Sequence, residues 1–495
     1  MRQRQPRAGS LFVSAPLAIL FLAALTATPA ARAQNGPPTT PPVAAPGSVP
    51  NIPRAYVSAD APVDESPLPP PPQEPTAIQL ESTGITTPPS VNRSFPLTPT
   101  TGHLFGDWLG ALPYLENHGV TPSLNFTSDM AGNPTGGLRH GFTAANNLGL
   151  GLLFDADKLA GIPGGSFLVQ VSERFGPSLT KKDLGNAFNV QQDWGGQTIR
   201  VVDVAYQQKL LSNTLQFRVG RIAAGDDFLV SQYDYLFMQN GLCGNPVGIF
   251  FNAPGMTAYP NAAWGALVKF KPTKTTYVMA GLYNGDPSGR ANDHHGLDWS
   301  MHGPLFGMLE AGYRLNGQPG DTGLLGNYKV GVWYDNSVYN NFNTQGPGLA
   351  LQTVRGNWGV YGLFDQMVYR FGAPGTNPGL GIFGSFLASP DQSLSQLPWF
   401  FTGGVAALGL IPCRPQDSTG LAIVYGHFSD DLSASQARSA LPAQSFETAL
   451  ELTHRMLFLN GALFVQPDLQ YIIRPGGTGQ VANALVFGAQ VGVNF

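Results

Sequence analysis

The sequence predicts an all-β protein and, more narrowly, a 16-stranded antiparallel transmembrane β-barrel over residues 121–495. Three observations lead to this fold class: apolar residues repeat with a period of two, long and short connections alternate, and only 12% of the residues are charged. A typical soluble protein carries about 25% charged residues. The 61 glycines and 43 prolines also disfavour a helical protein, because these residues have the lowest helix propensities.

The first 33 residues have the three parts of a secretory signal peptide. Three arginines lie within the first seven positions, residues 11–25 form a mostly apolar run, and Ala31-Arg32-Ala33 is an A-x-A cleavage site. The run is shorter than the roughly 20 residues that a membrane-spanning helix needs. We therefore expect export and cleavage before Gln34; the alternative is a retained anchor helix.

Residues 34–100 are rich in proline, and 18 of the 43 prolines lie between positions 34 and 99. Proline fixes φ and removes a hydrogen-bond donor, so extended and polyproline II conformations are expected. We predict a flexible periplasmic segment here, with a tail that binds the cell wall or a partner as the alternative. A short lead-in segment, residues 101–120, joins this segment to the barrel.

The last predicted strand shows the period of two most clearly. Leu485, Phe487 and Val491 alternate with small or polar residues such as Gly488 and Gln490. Successive strand residues point to opposite faces, so one face is apolar and the other is not. The sixteen predicted strands lie near 121–132, 141–155, 165–175, 198–210, 214–222, 262–271, 275–284, 306–315, 326–336, 356–372, 379–389, 400–410, 418–428, 446–458, 461–473 and 484–495. The alternation is least clear between 356 and 410.

The connections between these strands alternate in length. The even connections include 211–213, 272–274 and the pair Asn460-Gly461, which suits a type I′ hairpin turn. The odd connections are mostly long, namely 176–197, 223–261, 285–305, 337–355 and 429–445. Bacterial outer-membrane barrels have this asymmetry, with short periplasmic turns and long external loops. Closure of the sheet into a barrel gives every backbone N–H and C=O group a hydrogen-bond partner within the lipid bilayer. A barrel of sixteen strands is wide enough to enclose an aqueous lumen.

Other classes of protein find little support in the sequence. Four of the 27 basic residues lie in the first 33 positions, so the remainder is clearly acidic and shows no basic nucleic-acid footprint. The GxSxG, HExxH and P-loop motifs are absent. Asp293, His294, His295, Asp298 and His302 could form a metal site, but a solvated external loop is the favoured interpretation. We therefore expect no enzyme activity, no cofactor and no metal.

The two cysteines are predicted to remain unpaired with each other. Cys243 lies in a predicted external loop and Cys413 in a predicted periplasmic turn. The apolar band of a barrel is roughly 25 Å tall, whereas Cα atoms joined by a disulfide lie within about 7 Å. A long loop that folds inward would shorten the separation.

Several segments resemble the carbohydrate-selective porins of the OprB type. Residues 106–110 (GDWLG) followed by 115–120 (LENHGV) are similar to the start of that family, and 220–228 is similar to its GR…GDDF segment. Residues 466–477 (QPDLQYIIRPGG) match its terminal pattern. One departure is Leu112, where the family usually has arginine, so any role of that arginine is in doubt here. The resemblance covers about 104–495.

The resemblance implies a Gram-negative outer-membrane porin through which sugars diffuse passively. The alternatives are a general small-solute porin without sugar preference and, less favoured, a secreted all-β binding protein or enzyme. The implied partners are small sugars, outer-membrane lipid and lipopolysaccharide. The terminal Phe495 implies contact with the barrel-assembly machinery, and a homo-oligomer is possible.

Strand phase selects the side chains that would line the lumen. On 198–210, Val202, Val204 and Tyr206 are predicted to face lipid, which leaves Asp203 and Gln207 inside. The same argument predicts that arginines on the neighbouring strands project inward at mid-height or above. The candidate pore-lining and substrate-binding residues are Arg174, Asp203, Gln207, Gln216, Arg218, Asp226, Asp227, Trp194, Glu447, Glu451, Arg455 and Asp468. Arginine offers five donors in a rigid fork; the alternative is that these charges only solvate a wide lumen.

Two external loops contain candidates as well. Connection 223–261 is the longest and is unusually rich in aromatic residues for an exposed loop. We expect it to fold into the lumen and narrow it, with a lid across the barrel mouth as the alternative. Trp194 is a possible stacking platform for a sugar ring, and a structural tryptophan is the equally weighted alternative.

Overall fold

The computed structural model describes residues 102–242, 244–318, 321–373 and 378–495. The predicted signal peptide, the proline-rich segment 34–100 and Cys243 lie outside the described residues. The described chain forms a closed barrel of sixteen antiparallel strands in which β1 pairs with β16. The predicted fold class and strand number are therefore confirmed.

The sixteen strands are β1 Val120–Gly137, β2 Gly141–Asp155, β3 Gly165–Phe175, β4 Ile199–Leu210, β5 Leu215–Ile222, β6 Ala263–Phe270, β7 Thr276–Asn284, β8 Leu305–Leu315, β9 Gly326–Asn340, β10 Thr353–Arg370, β11 Gly379–Ala388, β12 Trp399–Leu408, β13 Ser418–His427, β14 Phe446–Phe458, β15 Leu463–Ile473 and β16 Ala482–Asn494. The α-helices are α1 Ala111–Asn117, α2 Ala156–Ala160, α3 Gly248–Asn252 and α4 Asp430–Arg438. Short helical turns span Thr180–Leu184, Ala224–Asp226, Asp234–Leu236, Ser288–Arg290, Asn292–His294, Phe342–Thr344, Leu459–Gly461 and Pro475–Gly477. No helix in these described ranges is long and apolar enough to cross a membrane.

The outer face of the barrel is apolar and the inner face is buried. On β16, Val486 and Gln490 are buried, whereas Phe487 between them is 56% exposed. The same alternation follows the other strands and leaves large apolar side chains such as Leu309, Val330 and Trp358 exposed on the outside. The apolar outer surface is what a lipid environment requires of a transmembrane barrel.

The weak alternation between 356 and 410 has a structural cause. On β11, Ile382 and Phe386 are exposed, but Phe383 and Leu387, which directly follow them, are also apolar and are buried. Both faces of this part of the wall are apolar because the inner face packs against other protein segments rather than water. A strand that is apolar on both faces loses its period of two in the sequence.

One strand departs from the predicted phase. Val169 pairs with Val204 and Val171 pairs with Val201, so Val202 and Asp203 together lie opposite a single residue of β3. This β-bulge inserts one extra residue and changes which residues share a face. Val202 is fully buried on the inner side, so the prediction that it faces lipid is wrong.

The connections keep the predicted asymmetry with one exception. The first external connection, 138–140, is shorter than the periplasmic connection 156–164, because β1 and β2 pair out to Asn133 and Gly141. The Asn460-Gly461 turn is as predicted: φ is 56° and 91° at the two residues. Ala462 N donates to Leu459 O across them at 3.2 Å.

Cys413 lies in the connection between β12 and β13, where its side chain is exposed and free. Because Cys243 lies outside the described residues, the absence of a disulfide between the two stays a prediction.

Candidate functional site within the barrel

Two long external loops, 176–198 and 223–262, fold into the barrel. Their apolar residues form one buried cluster with the inner faces of the wall strands. In loop 223–262, the Tyr233 and Phe237 rings lie 6.0 and 5.5 Å from the ring of Phe383 on β11. In loop 176–198, the Phe188 ring lies 5.4 Å from that of Phe400 on β12. The interior therefore contains packed loops as well as wall side chains.

Inward-facing carboxylates of the wall bind the backbone of these loops. Glu447 on β14 accepts hydrogen bonds from Ala187 N and Phe188 N at 2.7 and 2.9 Å. Glu451, four residues further along the same strand, accepts hydrogen bonds from Met238 N and Gln239 N at 2.6 and 3.0 Å. Both carboxylates face inward as the strand phase predicts, but their acceptor oxygens are occupied by loop amides.

Arg455 has a similar structural role, whereas Asp468 forms a hydrogen bond within its own strand. Arg455 Nη2 donates to Tyr235 O of loop 223–262 at 3.1 Å, and its Nε donates to Gln466 Oε1 at 2.6 Å. Asp468 accepts from Gln470 Nε2 at 2.8 Å. Glu447, Glu451 and Arg455 thus hold the loops in place, whereas Asp468 bonds within its own strand. Strand phase by itself does not reveal this difference.

Four further acids with this role were missed by sequence reasoning. Glu310 on β8 accepts from Leu229 N at 2.8 Å and from the hydroxyl groups of Tyr277 and Tyr361. The others accept backbone N–H groups from the same two loops, and they are Asp129, Asp335 and Asp365. The signal in the sequence was an acidic residue whose two neighbours belong to the apolar face of the strand. Because an acid that faces lipid is unfavourable, such a residue is expected to point inward.

A charged cluster lies where β4 and β5 meet the start of loop 223–262. Arg218 on β5 is 3% exposed and forms a 2.5 Å ion pair between its Nη2 and Asp227 Oδ2. Arg218 also interacts electrostatically with Asp203 and Asp226. Gln207 on β4 pairs with Arg218 in the strand register. Five of the predicted candidates are therefore brought together, namely Arg218, Asp203, Gln207, Asp226 and Asp227.

The carboxylates of Asp203, Asp226 and Asp227 all interact with the Arg218 guanidinium. Burial, together with the carboxylates of Asp203 and Asp227, raises the pKa of Asp226 well above its ordinary value, and Arg218 opposes that shift. Two further cations also interact electrostatically with these carboxylates, Arg221 with Asp203 and Lys269 with Asp227. Such a site offers both donors and acceptors to a polar solute.

Arg174 lies closer to the external end, at the next-to-last position of β3. Its side chain is 1% exposed, donates from Nη1 to Gly195 O at 3.3 Å and stands 5.6 Å from the ring centre of Tyr259. It also interacts electrostatically with Asp193 of loop 176–198. Arg174 and Arg218 are thus both inside the wall, at different heights.

The bulge in β4 places a further arginine, Arg200, on the inner face together with Asp203. Arg200 is 1% exposed and donates from Nη2 to Asn292 Oδ1 at 2.5 Å. Arg221 on β5 and Arg290 of loop 285–304 are also buried nearby. Arg290 Nη1 donates to Met256 O at 2.8 Å, so it ties loop 285–304 to loop 223–262.

Gln216 and Trp194 lie apart from the charged cluster. Gln216 is the second residue of β5, near the periplasmic end, and its amide donates to Asn213 in the adjoining turn. Trp194 is half-buried, and Lys181 Nζ lies 4.5 Å from its ring centre. One face of this indole is therefore covered by an ammonium group.

The histidine-rich segment of loop 285–304 binds other parts of the protein. His295 Nδ1 lies 2.8 Å from Ile199 O, and His294 Nδ1 lies 3.6 Å from Asp298 Oδ2. Within the described ranges, no group of three or more potential ligands is arranged to hold a metal ion. Leu112, at the position where an arginine was expected, is buried within α1.

A closed 16-stranded barrel with an apolar exterior, infolded loops and buried charges defines the porin class of channels. Residues 139–495 match the carbohydrate-selective porin, OprB family, and the chain belongs to this family. It is 27% identical to Porin B of Pseudomonas aeruginosa, over 80% of this chain and 91% of that protein. It is 26% identical to the putative porin QuiX of Acinetobacter baylyi, over 79% and 93%.

Solved structures agree with this assignment. The high-pH structure of Pseudomonas putida OprB superposes with a TM-score of 0.73 at 25% identity, covering 81% of this chain and all of that one. Family membership places the chain among outer-membrane channels that are not enzymes. The predicted family, fold and membrane class are therefore confirmed.

Proposed function

We propose that the protein is an outer-membrane porin through which carbohydrates, monosaccharides in particular, diffuse passively into the periplasm. The main support for this proposal is the charged cluster of Arg218, Asp227, Asp203 and Asp226. This cluster lies inside the wall where loop 223–262 enters the barrel. Membership of a carbohydrate-selective family supports the same substrate class. In this proposal the infolded loops and the Arg/carboxylate side chains narrow a water-filled passage.

The chemistry of the cluster suits a sugar. Sugar hydroxyls both donate and accept hydrogen bonds, arginine presents donors in a fixed fork, and carboxylates only accept. A ring of such groups selects by size and hydrogen bonding and leaves the solute chemically unchanged. The indole of Trp194, which is only half-buried, would offer a flat surface to the C–H face of a sugar ring.

The remaining functional expectations form part of the same proposal. The N-terminal signal would direct export, lipid and lipopolysaccharide would surround the barrel, and Phe495 would be read by the assembly machinery. The protein would use no cofactor and bind no nucleic acid. Association of several barrels into a homo-oligomer is compatible with each barrel being a complete channel.

Liposome swelling tests the substrate class. Purified protein reconstituted into liposomes should admit monosaccharides faster than charged solutes of similar size. Equal rates for both solutes would favour the alternative, a general small-solute porin. An absence of swelling with either solute in liposomes that contain folded barrels would contradict both.

The Arg218→Ala variant tests the cluster. Removing the guanidinium leaves Asp203, Asp226 and Asp227 without their central cation, so monosaccharide selectivity should fall and preference for cations should rise. The matched control is Arg355→Ala, because Arg355 is exposed on β10. Reversal potentials in a KCl gradient and swelling rates give the readout. Identical behaviour of the two variants would show that the cluster does not control passage.

A further inference from the structure

The lead-in segment 102–119 runs along the periplasmic rim of the barrel. Gly102 N donates to Asn460 O in the β14–β15 turn at 2.9 Å, and Leu104 N donates to Asn494 O at the end of β16 at 2.8 Å. At the other end of the segment, Lys158 Nζ in the β2–β3 connection donates to Glu116 O at 2.7 Å. The segment therefore spans the seam where β16 meets β1, at the end that carries the even connections.

The segment also lies on the outer, lipid-facing side of this rim. The Phe105 ring is 5.7 Å from the ring of Phe495. Phe495 continues the phase of Val491 and Phe487 on β16, and Phe487 is exposed on the outer surface. Phe105 is thus an extension of the apolar band that faces the membrane.

The segment around the GDWLG turn leaves large apolar side chains mostly exposed, although Phe105 contacts Phe495 and Tyr114 contacts His118. Leu109 is 102% exposed, Phe105 65% and Tyr114 62%. The backbone of Trp108 and Leu109 is left-handed, with φ of 55° and 58°, a conformation that non-glycine residues avoid. An unfavourable backbone that displays a leucine points to a contact beyond the described residues.

We propose that residues 104–114 form an anchor in the periplasmic leaflet of the outer membrane, with Phe105, Leu109 and Tyr114 among the lipid acyl chains and headgroups. Continuity with the apolar band through the Phe105–Phe495 contact identifies lipid as the occupant. Aromatic residues are enriched at such interfaces, and short amphipathic segments bury their apolar face at the headgroup boundary. Asp107 and Glu116 are acidic, so apolar burial, and not attraction to anionic headgroups, drives this binding.

The anchor has a consequence for the chain that precedes it. Gly102 approaches the β14–β15 turn so closely that a Cβ atom would lie 2.8 Å from Leu459 O. The anchor and this contact together fix the point where the proline-rich segment leaves the barrel, at the membrane surface on the periplasmic side.

A probe at position 109 tests the proposal in the full-length protein. In a background with Cys243→Ser and Cys413→Ser, Leu109→Cys is labelled with an environment-sensitive fluorophore, and the protein is reconstituted into phosphatidylcholine vesicles. Asp157→Cys on the exposed α2 is the aqueous control, and Phe487→Cys on β16 is the lipid control. Heat-dependent migration in gels selects preparations with folded barrels.

The probe at 109 should behave like that at 487. Its emission should shift to the blue relative to position 157, nitroxide-labelled lipid should quench it, and aqueous iodide should not. Addition of anionic lipid should leave this pattern unchanged. Iodide quenching equal to that at 157 would overturn the anchor, and protection from both quenchers would show that protein covers this surface. Neither outcome depends on which solute the channel passes.

Discussion

Asp193 is the loop acid whose charge responds to pH near neutrality. Burial raises the pKa of Asp193 to about 6, and Arg174 opposes that shift. Because the folded pKa lies above the ordinary value, the charged form is disfavoured in the folded protein, and this penalty is largest above pH 6. The penalty declines as the pH falls through 6 and disappears below the unfolded pKa of about 4.

We expect acidification from pH 7 to pH 5 to lower the cation preference of the channel, because Asp193 then loses its negative charge. Asp193→Asn should remove this part of the pH dependence and resemble the native protein at low pH. Reversal potentials measured at both pH values give the result. A pH response in Asp193→Asn as large as in the native protein would contradict the assignment.

Glu451 illustrates how one side chain fixes a loop. Replacement by alanine would leave Met238 N and Gln239 N buried without their acceptor, and a hydrogen bond to a charged group contributes about 1.5–3 kcal/mol. Glu451→Ala should therefore increase hydrogen exchange at these two amides and make single-channel currents noisier. Glu451→Gln keeps one acceptor oxygen and should have a smaller effect. If Met238 N and Gln239 N were as protected from exchange in both variants as in the native protein, this anchoring role would be contradicted.

At the scale of elements, the bulge in β4 determines which side chains face inward. Val202 and Asp203 both point inside, so deletion of Val202 restores regular alternation and keeps Arg200 and Asp203 on the inner face. Deletion of Val204 instead forces Asp203 toward lipid.

We expect the Val202 deletion to fold, with a loss of about 1.5–3 kcal/mol from the valine side chain that is no longer buried. The Val204 deletion should lose more stability or fail to fold. Urea unfolding in lipid vesicles compares the two. A strand without the bulge would make both deletions equally harmful, which is the result that would refute this register.

Loop 223–262 explains why the inner wall is chemically divided. Strands β4 and β5 carry charges toward the interior, whereas β11 and β12 present Phe383 and Phe400 to the infolded loops. The apolar stretch of the wall at β11 and β12 is therefore covered by the infolded loops, whereas charged side chains line β4 and β5. Any passage for a hydrophilic solute is expected on the side of the charged cluster, since polar solutes avoid an apolar wall.

At the scale of the whole molecule, closure requires only residues 120–495. Every strand of the barrel lies in this range, and β1 pairs with β16 from Asn125 opposite Asn494.

We therefore expect a protein that lacks residues 34–101 but keeps its signal peptide to form a heat-modifiable barrel with native swelling rates. The full-length protein purified in parallel is the control. A loss of channel activity in a folded, truncated barrel would assign the proline-rich segment a direct role in permeation.

The sequence by itself determined the fold class, all sixteen strands and the inward phase of most wall residues. It could do so because a barrel in lipid imposes a strict period of two, and short and long connections alternate with topology. The inward position of Glu447 and Arg218 followed from this local rule. The family motifs additionally indicated that this barrel is a carbohydrate-selective porin.

Only the tertiary structure decided what the inward side chains bind. Glu447 and Glu451 bind amides more than 200 positions away in the chain, and no local pattern encodes such a partner. The bulge at Val202 depends on how β4 pairs with β3, so one strand's sequence does not reveal it. The alternation of apolar and polar residues along a strand determines which way a side chain points. The packing of the loops inside the barrel determines which groups that side chain contacts.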